Sequence, residues 1–160
     1  MGYVRVRFVL LGLLASPLLA CGRTAPEPPI AWQMRVAPAC EEAKRQDRPL
    51  LFLLWASWDV VSKELDHVTF EDARVRRELR EGWIALKVDR TDVYMAEGSG
   101  SAEEREVDEA ERRFRPRESK SATLVMMAPD CATELGRVER YEPPSAFLEA
   151  LVQARGRLRK

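Results

Sequence analysis

The stretch that most constrains this chain is "PLLFLLWAS", residues 49–57. From Leu50 to Trp55 it offers no polar residue, so a strand formed here has no face to turn toward water and must be covered on both sides. In a chain of 160 residues such a strand is most simply covered by helices packed on each face of a mostly parallel sheet, which predicts an α/β layered domain. Pro49 marks where the preceding polar segment ends and the strand begins.

The rest of the patterning agrees with that frame. "APACEEAKRQD" has helix-compatible spacing; "DVVSKELDHV" and "FEDARVRRELREG" are both helical, the second stopped at Gly82. "WIALKVDRTD" is a second buried strand. "GSGSAEEREVDEAERRFRP" starts with a Gly/Ser stretch and becomes a charged helix ending at Pro116. "TLVMMAPDCATELGRVERY" holds two strand-like runs about Pro129-Asp130 and predicts a β-hairpin. "EPPSAFLEALVQARGRL" closes the chain as an amphipathic helix with prolines in its first turn and Phe147, Leu148, Leu151 and Val152 on one face. Two strands joined through a helix are parallel by the crossover rule, and the hairpin adds an antiparallel edge.

The first twenty residues stand apart. Arg5 and Arg7 precede "FVLLGLLASPLLA", an apolar run too short for a comfortable membrane span, which ends in a small residue before Cys21. This reads as an export signal. "LLAC" resembles a bacterial lipobox, which implies lipid on the Cys21 sulfur and cleavage before Cys21; the alternative is an ordinary secretory signal with Cys21 incidental. Gly22 lacks the Asp that resembles an inner-membrane retention signal, which favours the outer membrane. "RTAPEPPIAW" is rich in proline and predicts an extended tether. The expected organisation is a lipoprotein signal peptide over 1–20, a tether over 21–33 and a domain over 34–157, tied to the membrane through lipid on Cys21 and facing the periplasm.

Loss of residues 1–20 removes two of the 26 basic residues and none of the 26 acidic ones, which leaves 24 against 26 and argues against a nucleic-acid partner. Arginines scatter among glutamates along the helices, the pattern of a solvated, charge-paired surface. His67 is the single histidine, with no Cys or second His beside it, so no metal site is expected. There is no phosphate-binding glycine loop, and no cofactor is expected.

The order of elements, with "WASW" at the end of the first buried strand, resembles the thioredoxin superfamily. "RPLLFLLWASWDVVSKELDHVTFEDARVRREL" is most similar to periplasmic members, including the C-terminal domain of the transmembrane thiol-disulfide interchange reductases, and "RVERYEPPSAFLEALV" is similar to their last strand and helix. The resemblance covers roughly residues 34–155 and implies a three-layer α/β/α sandwich with a central mixed sheet of four or five strands. It also implies four reactive positions, none of which holds its expected group. The nucleophilic cysteine, whose thiolate a helix N-terminus stabilises, is Asp59. The resolving cysteine is Ser62, the buried carboxylate in the preceding strand is Leu53, and the cis-proline facing the cysteine pair is Ala122. A cis bond before a non-proline costs about 3 kcal/mol, so the loop before Ala122 is expected to be trans and altered. The joint replacement argues against dithiol exchange at this site. Asp59 is better read as a helix N-cap than as an acid or ligand, and Ser62 as a solvated first-turn hydroxyl. Trp58, Asp59 and Ala122 are the candidate binding surface for an unidentified periplasmic or membrane protein, while Trp55 and Trp83 are expected in the core.

Cys40 and Cys131 are expected to be unpaired. Cys40 begins the first helix, toward the site, whereas Cys131 lies in the hairpin turn at the other end of the sheet; a disulfide needs Cα atoms within about 7 Å. The main functional expectation is a binding or assembly module without redox catalysis. The alternative is thiol-disulfide chemistry through Cys40 or Cys131.

Overall fold

The computed structural model describes residues 26–91, 100–114 and 122–158. Helix α1 (Val36–Gln46) leads through Pro49 into β1 (Leu50–Trp55). Helix α2 (Val60–Glu64) runs directly into a π-helical turn (Leu65–Thr69), and α3 (Ala73–Gly82), β2 (Ile84–Asp89) and α4 (Ala102–Phe114) follow. The hairpin β3 (Thr123–Met127) and β4 (Glu134–Val138) then leads to α5 (Pro144–Arg157). The sheet order is β2-β1-β3-β4, with β1 parallel to β2 and antiparallel to β3, as the crossover and hairpin arguments require. A single parallel bridge from Gln33 to Leu86 adds the remnant of a fifth strand beside β2.

The apolar run behaves as its composition dictates. Leu50, Phe52 and Leu54 point into one cluster with Val36, Ala39 and Ala43 of α1 and Val107, Ala110 and Phe114 of α4; Phe52 and Phe114 stack at 4.5 Å. Leu51 and Leu53 point into the other with Leu65, Val75, Leu79, Phe147 and Leu151. All five of these β1 residues are at most 1% exposed. Each such side chain contributes about 2 kcal/mol of transfer free energy, so this strand organises both layers of the core.

Three details depart from the sequence reading. The helix expected over "DVVSKELDHV" loosens after Glu64, where Phe70 N–H donates to Leu65 O at 2.8 Å. The wider π turn lets Leu65, Thr69 and Phe70 all face inward. In α5 the buried line is Phe147, Leu151 and Ala154, whereas Val152 is 57% exposed, because a residue one step past Leu151 is rotated off the buried face. The segment expected to be tether is not free throughout: Trp32 packs edge-on against Phe70 at 5.1 Å, and Gln33 is bonded to β2.

The largest correction concerns the cysteines. Cys40 and Cys131 form a disulfide, with Cα atoms 5.7 Å apart and both residues 3% exposed. The expectation of unpaired thiols placed Cys40 at the start of the helix, toward the site, whereas α1 already starts at Val36. A helix rises about 1.5 Å per residue against about 3.3 Å in a strand, so Cys40 lies only about 9 Å from the end of α1, well short of the far end of the sheet. The hairpin turn also folds inward. Cys131 has φ 56°, its N–H donates to Ala128 O at 2.9 Å, and its side chain joins the α1 cluster. Asp130 holds that turn, its Oδ1 accepting from Ala132 N (2.8 Å) and Thr133 N (2.9 Å). These N–H groups, Thr133 foremost, keep the Asp130 carboxyl below the usual carboxylate range.

Candidate functional site

At the C-terminal end of β1 the chain turns through Ala56 to Trp58 and starts α2 at Asp59, which is extended (φ −87°, ψ 126°) as an N-cap must be. Its carboxylate does more than cap. Asp59 Oδ2 accepts from Ser62 N at 2.8 Å, Ser62 Oγ at 2.8 Å and Ala122 N at 2.9 Å. Ser62 Oγ in turn accepts from Ala56 N at 3.1 Å. These four hydrogen bonds tie the end of β1, the first turn of α2 and the start of β3 into one knot. It is buried: Asp59 is 8% exposed, Ser62 0% and Ala122 2%. Ser62 is therefore not the solvated hydroxyl its position suggested. Its oxygen receives a backbone N–H that would otherwise be an unpaired buried donor.

The knot gives a chemical reason for the residue types. A proline at position 122 would carry no N–H. Alanine introduces a buried donor, and Asp59 introduces the acceptor that satisfies it. Ser62 has a hydroxyl that can donate to Asp59 while accepting from Ala56, a pairing a thiol makes only weakly. The expected reactive positions are thus rebuilt as a satisfied hydrogen-bond network. Leu53, 0% exposed among Leu65, Leu124 and other apolar residues, fits the same account, since an ionised carboxylate there would be buried without a partner. The peptide bond preceding Ala122 lies outside the described residues.

The surroundings are ordered around tryptophan. Trp58 is 43% exposed, with the Arg90 guanidinium 5.3 Å from its ring centre, and its neighbour Val60 is 70% exposed. Trp83 lies in the core at 2%. Trp55 is only half-buried, because it stands at the rim of the sheet beneath the Lys87 ammonium, 4.2 Å from the ring centre. Lys87 reaches both carboxylate oxygens of Asp66, at 3.1 and 3.0 Å. Sequence reading missed this Lys87–Asp66–Trp55 group. Its signal was a lysine inside an otherwise apolar strand. Ala122 itself is covered and its N–H is taken, so of the three candidate binding residues only Trp58 presents substantial surface. His67 is exposed. Among the described residues no three metal-ligating side chains converge, and no helix is long and apolar enough to cross a membrane.

A mixed sheet between helical layers, with a helix N-terminus at the end of its central parallel strand bonded to Ala122 at the start of β3, defines a thioredoxin-like protein. The model of the DsbH-like thioredoxin family, described as a protein of unknown function, DUF255, matches residues 13–95, just over half of the chain, and the chain belongs to that family. Among solved structures it is similar to a DsbH oxidoreductase, with 13% identity and a TM-score of 0.69 over 88% of this chain and 94% of that one. A thioredoxin from Thermus thermophilus matches with 21% identity and a TM-score of 0.57, over 78% of this chain and 85% of that one. A putative disulphide isomerase from Bacteroides thetaiotaomicron matches with 21% identity and a TM-score of 0.57, over 81% and 96%. No curated protein matches. At these identities the structural likeness speaks for the fold, and the residues at positions 53, 59, 62 and 122 speak for themselves.

Proposed function

We propose that this chain is a lipid-anchored periplasmic thioredoxin-fold protein that performs no dithiol exchange at the family's site and serves as a binding or assembly module, contacting its partner through the surface around Trp58. The observation that carries the reading is the Asp59 carboxylate with its three donors. Dithiol exchange needs a thiolate at the helix N-terminus, whereas here that position holds a buried carboxylate whose Oδ2 accepts from three donors. Export is supported by the charged and apolar start of the chain, by "LLAC", and by the disulfide, a bond that persists in oxidising compartments.

The second reading, thiol-disulfide chemistry through Cys40 and Cys131, draws on the bond between them. It is the weaker reading on physical grounds. Attack on Cys131 would expel a Cys40 thiolate into the cluster of Val36, Ala39 and Phe52, and an apolar surrounding disfavours the thiolate, making it a slow leaving group.

Two measurements test these readings. Reduction of insulin disulfides by the domain with dithiothreitol is expected to match that of a Cys40→Ser/Cys131→Ser variant; activity lost in the variant would move the chemistry to that pair. Co-purification from detergent-solubilised membranes is expected to recover a partner protein that Trp58→Ala loses, and recovery unchanged by that substitution would sink the proposed surface.

A further inference from the structure

We infer that residues 27–33 are a strap that fixes how the domain sits on its anchor, turning the Trp58 end away from the bilayer; the orientation rests on the reading of Cys21 as lipid-bearing. Four kinds of contact hold this short segment. Gln33 N–H donates to Ala85 O at 2.8 Å and Gln33 O accepts from Lys87 N at 2.9 Å, so the strap occupies part of the edge of β2. Trp32 packs on Phe70, and Ile30 and Trp32 both lie against the α3 and α5 core. Pro28, Pro29 and Ile30 line a groove with Leu79, Trp83 and Ile84. Finally, the Glu27 carboxylate, whose side chain is 12% exposed, pairs with Arg77 and Arg80, while Arg76 donates to Glu27 O at 3.3 Å.

These contacts shorten the leash. From Cys21 to Gln33 a free chain of twelve residues could span about 40 Å, but from Cys21 to Glu27 six residues span at most about 20 Å. They also set a direction. Pro29 lines the same groove as Ile84, at the N-terminal end of β2, whereas Trp58 lies past the C-terminal end of the parallel strand β1. Strands of six residues separate those ends by about 20 Å. The domain is therefore held close to the bilayer by the N-terminal ends of its parallel strands, and the exposed Trp58–Val60 surface faces a partner in the aqueous space.

The test uses the full lipidated chain in phosphatidylethanolamine/phosphatidylglycerol vesicles with an energy-transfer acceptor on the headgroups. A donor fluorophore is placed either at Gln46, exposed at the end of α1 that leads into β1, or at Lys63, exposed on α2 near Trp58. Transfer is expected to be stronger from position 46 than from 63, and the difference is expected to vanish in Gln33→Pro and in Trp32→Ala. Equal transfer in the vesicle-bound unsubstituted chain, or a difference that survives both substitutions, overturns the orientation. Hydrogen exchange tests the strap without a membrane: slow exchange at the Gln33 and Lys87 amides supports the strap, and fast exchange at both overturns it. A chain that fails to float with vesicles yet keeps those amides protected has lost its anchor reading, and with it the orientation, while the strap stands.

Discussion

The two ends of the sheet have exchanged chemistry. At the end where the thioredoxin resemblance places a cysteine pair, this chain has a carboxylate holding α2 to the start of β3 by hydrogen bonds. At the other end, where no reactive group is implied, a covalent bond joins α1 to the hairpin turn. Both are cross-links between a helix and the β3 region, but they differ in what holds them. The Asp59 knot depends on burial and on a complete set of donors, so losing one member leaves others unsatisfied. The disulfide constrains the unfolded chain across a separation of 91 residues and depends on little else.

The largest effect should come from the covalent end. Cys131→Ser is expected to lower stability by about 4.6 kcal/mol, the loop-closure value for a ring of this size, read as a lower urea midpoint. Dithiothreitol should reproduce that loss in the unsubstituted protein once the chain opens, and should leave the variant unchanged. A loss below about 1 kcal/mol would mean that the turn is held by packing and by Asp130 alone.

The polar end comes next. Asp59→Ala is expected to cost about 2 to 3 kcal/mol, combining a lost N-cap with buried donors at Ser62 and Ala122 left without an acceptor. Adding Ala122→Pro deletes one of those donors. The double variant should therefore lose about 1 kcal/mol less than the two single losses together, and strict additivity would show that the Asp59–Ala122 bond contributes nothing.

Acid sharpens the contrast further. Asp72, N-cap of α3, is lowered to about 2, by the Arg74 guanidinium first and then by the N–H groups of Arg74 and Val75. Asp130 is lowered by its turn N–H groups. Unfolded aspartates titrate near 4, so these carboxylates contribute their full stabilisation above about pH 4 and lose it as pH falls toward their folded values. The disulfide does not titrate. Between about pH 4 and 2 the Cys131→Ser variant should unfold in circular dichroism while the oxidised protein keeps its helical signal; parallel loss in both would deny the disulfide its role.

The smallest expected change in stability separates binding from folding. Trp58→Ala removes a half-exposed ring and should shift the urea midpoint by less than about 0.5 kcal/mol, while abolishing partner recovery. A large loss of stability would make Trp58 part of the fold and leave its binding role unsupported.

Much of this was legible in the chain. The unbroken apolar run at Leu50–Trp55 required cover on two faces; Asp59 before Val60 announced a helix start; Pro129-Asp130 announced the hairpin turn. What escaped depends on which groups the fold brings together. Nothing near Ala122 shows that its N–H meets a carboxylate 63 residues away, and nothing near Ser62 shows that its hydroxyl receives the N–H of Ala56. The π turn at Leu65–Thr69 also escaped, because its wider ring is selected by which side chains must reach the core. That demand is absent from the local pattern.

The sequence by itself determined the layered α/β fold, the parallel crossover, the closing hairpin and the absence of a cysteine pair at the end of β1, because each depends on local periodicity or on residue identity. The tertiary structure alone decided that Asp59, Ser62 and Ala122 form one buried knot, that Cys40 meets Cys131, and that Gln33 pairs with the edge of β2. Those outcomes turn on distances between segments, which are fixed by how far a helix rises against a strand and by which way a tight turn folds.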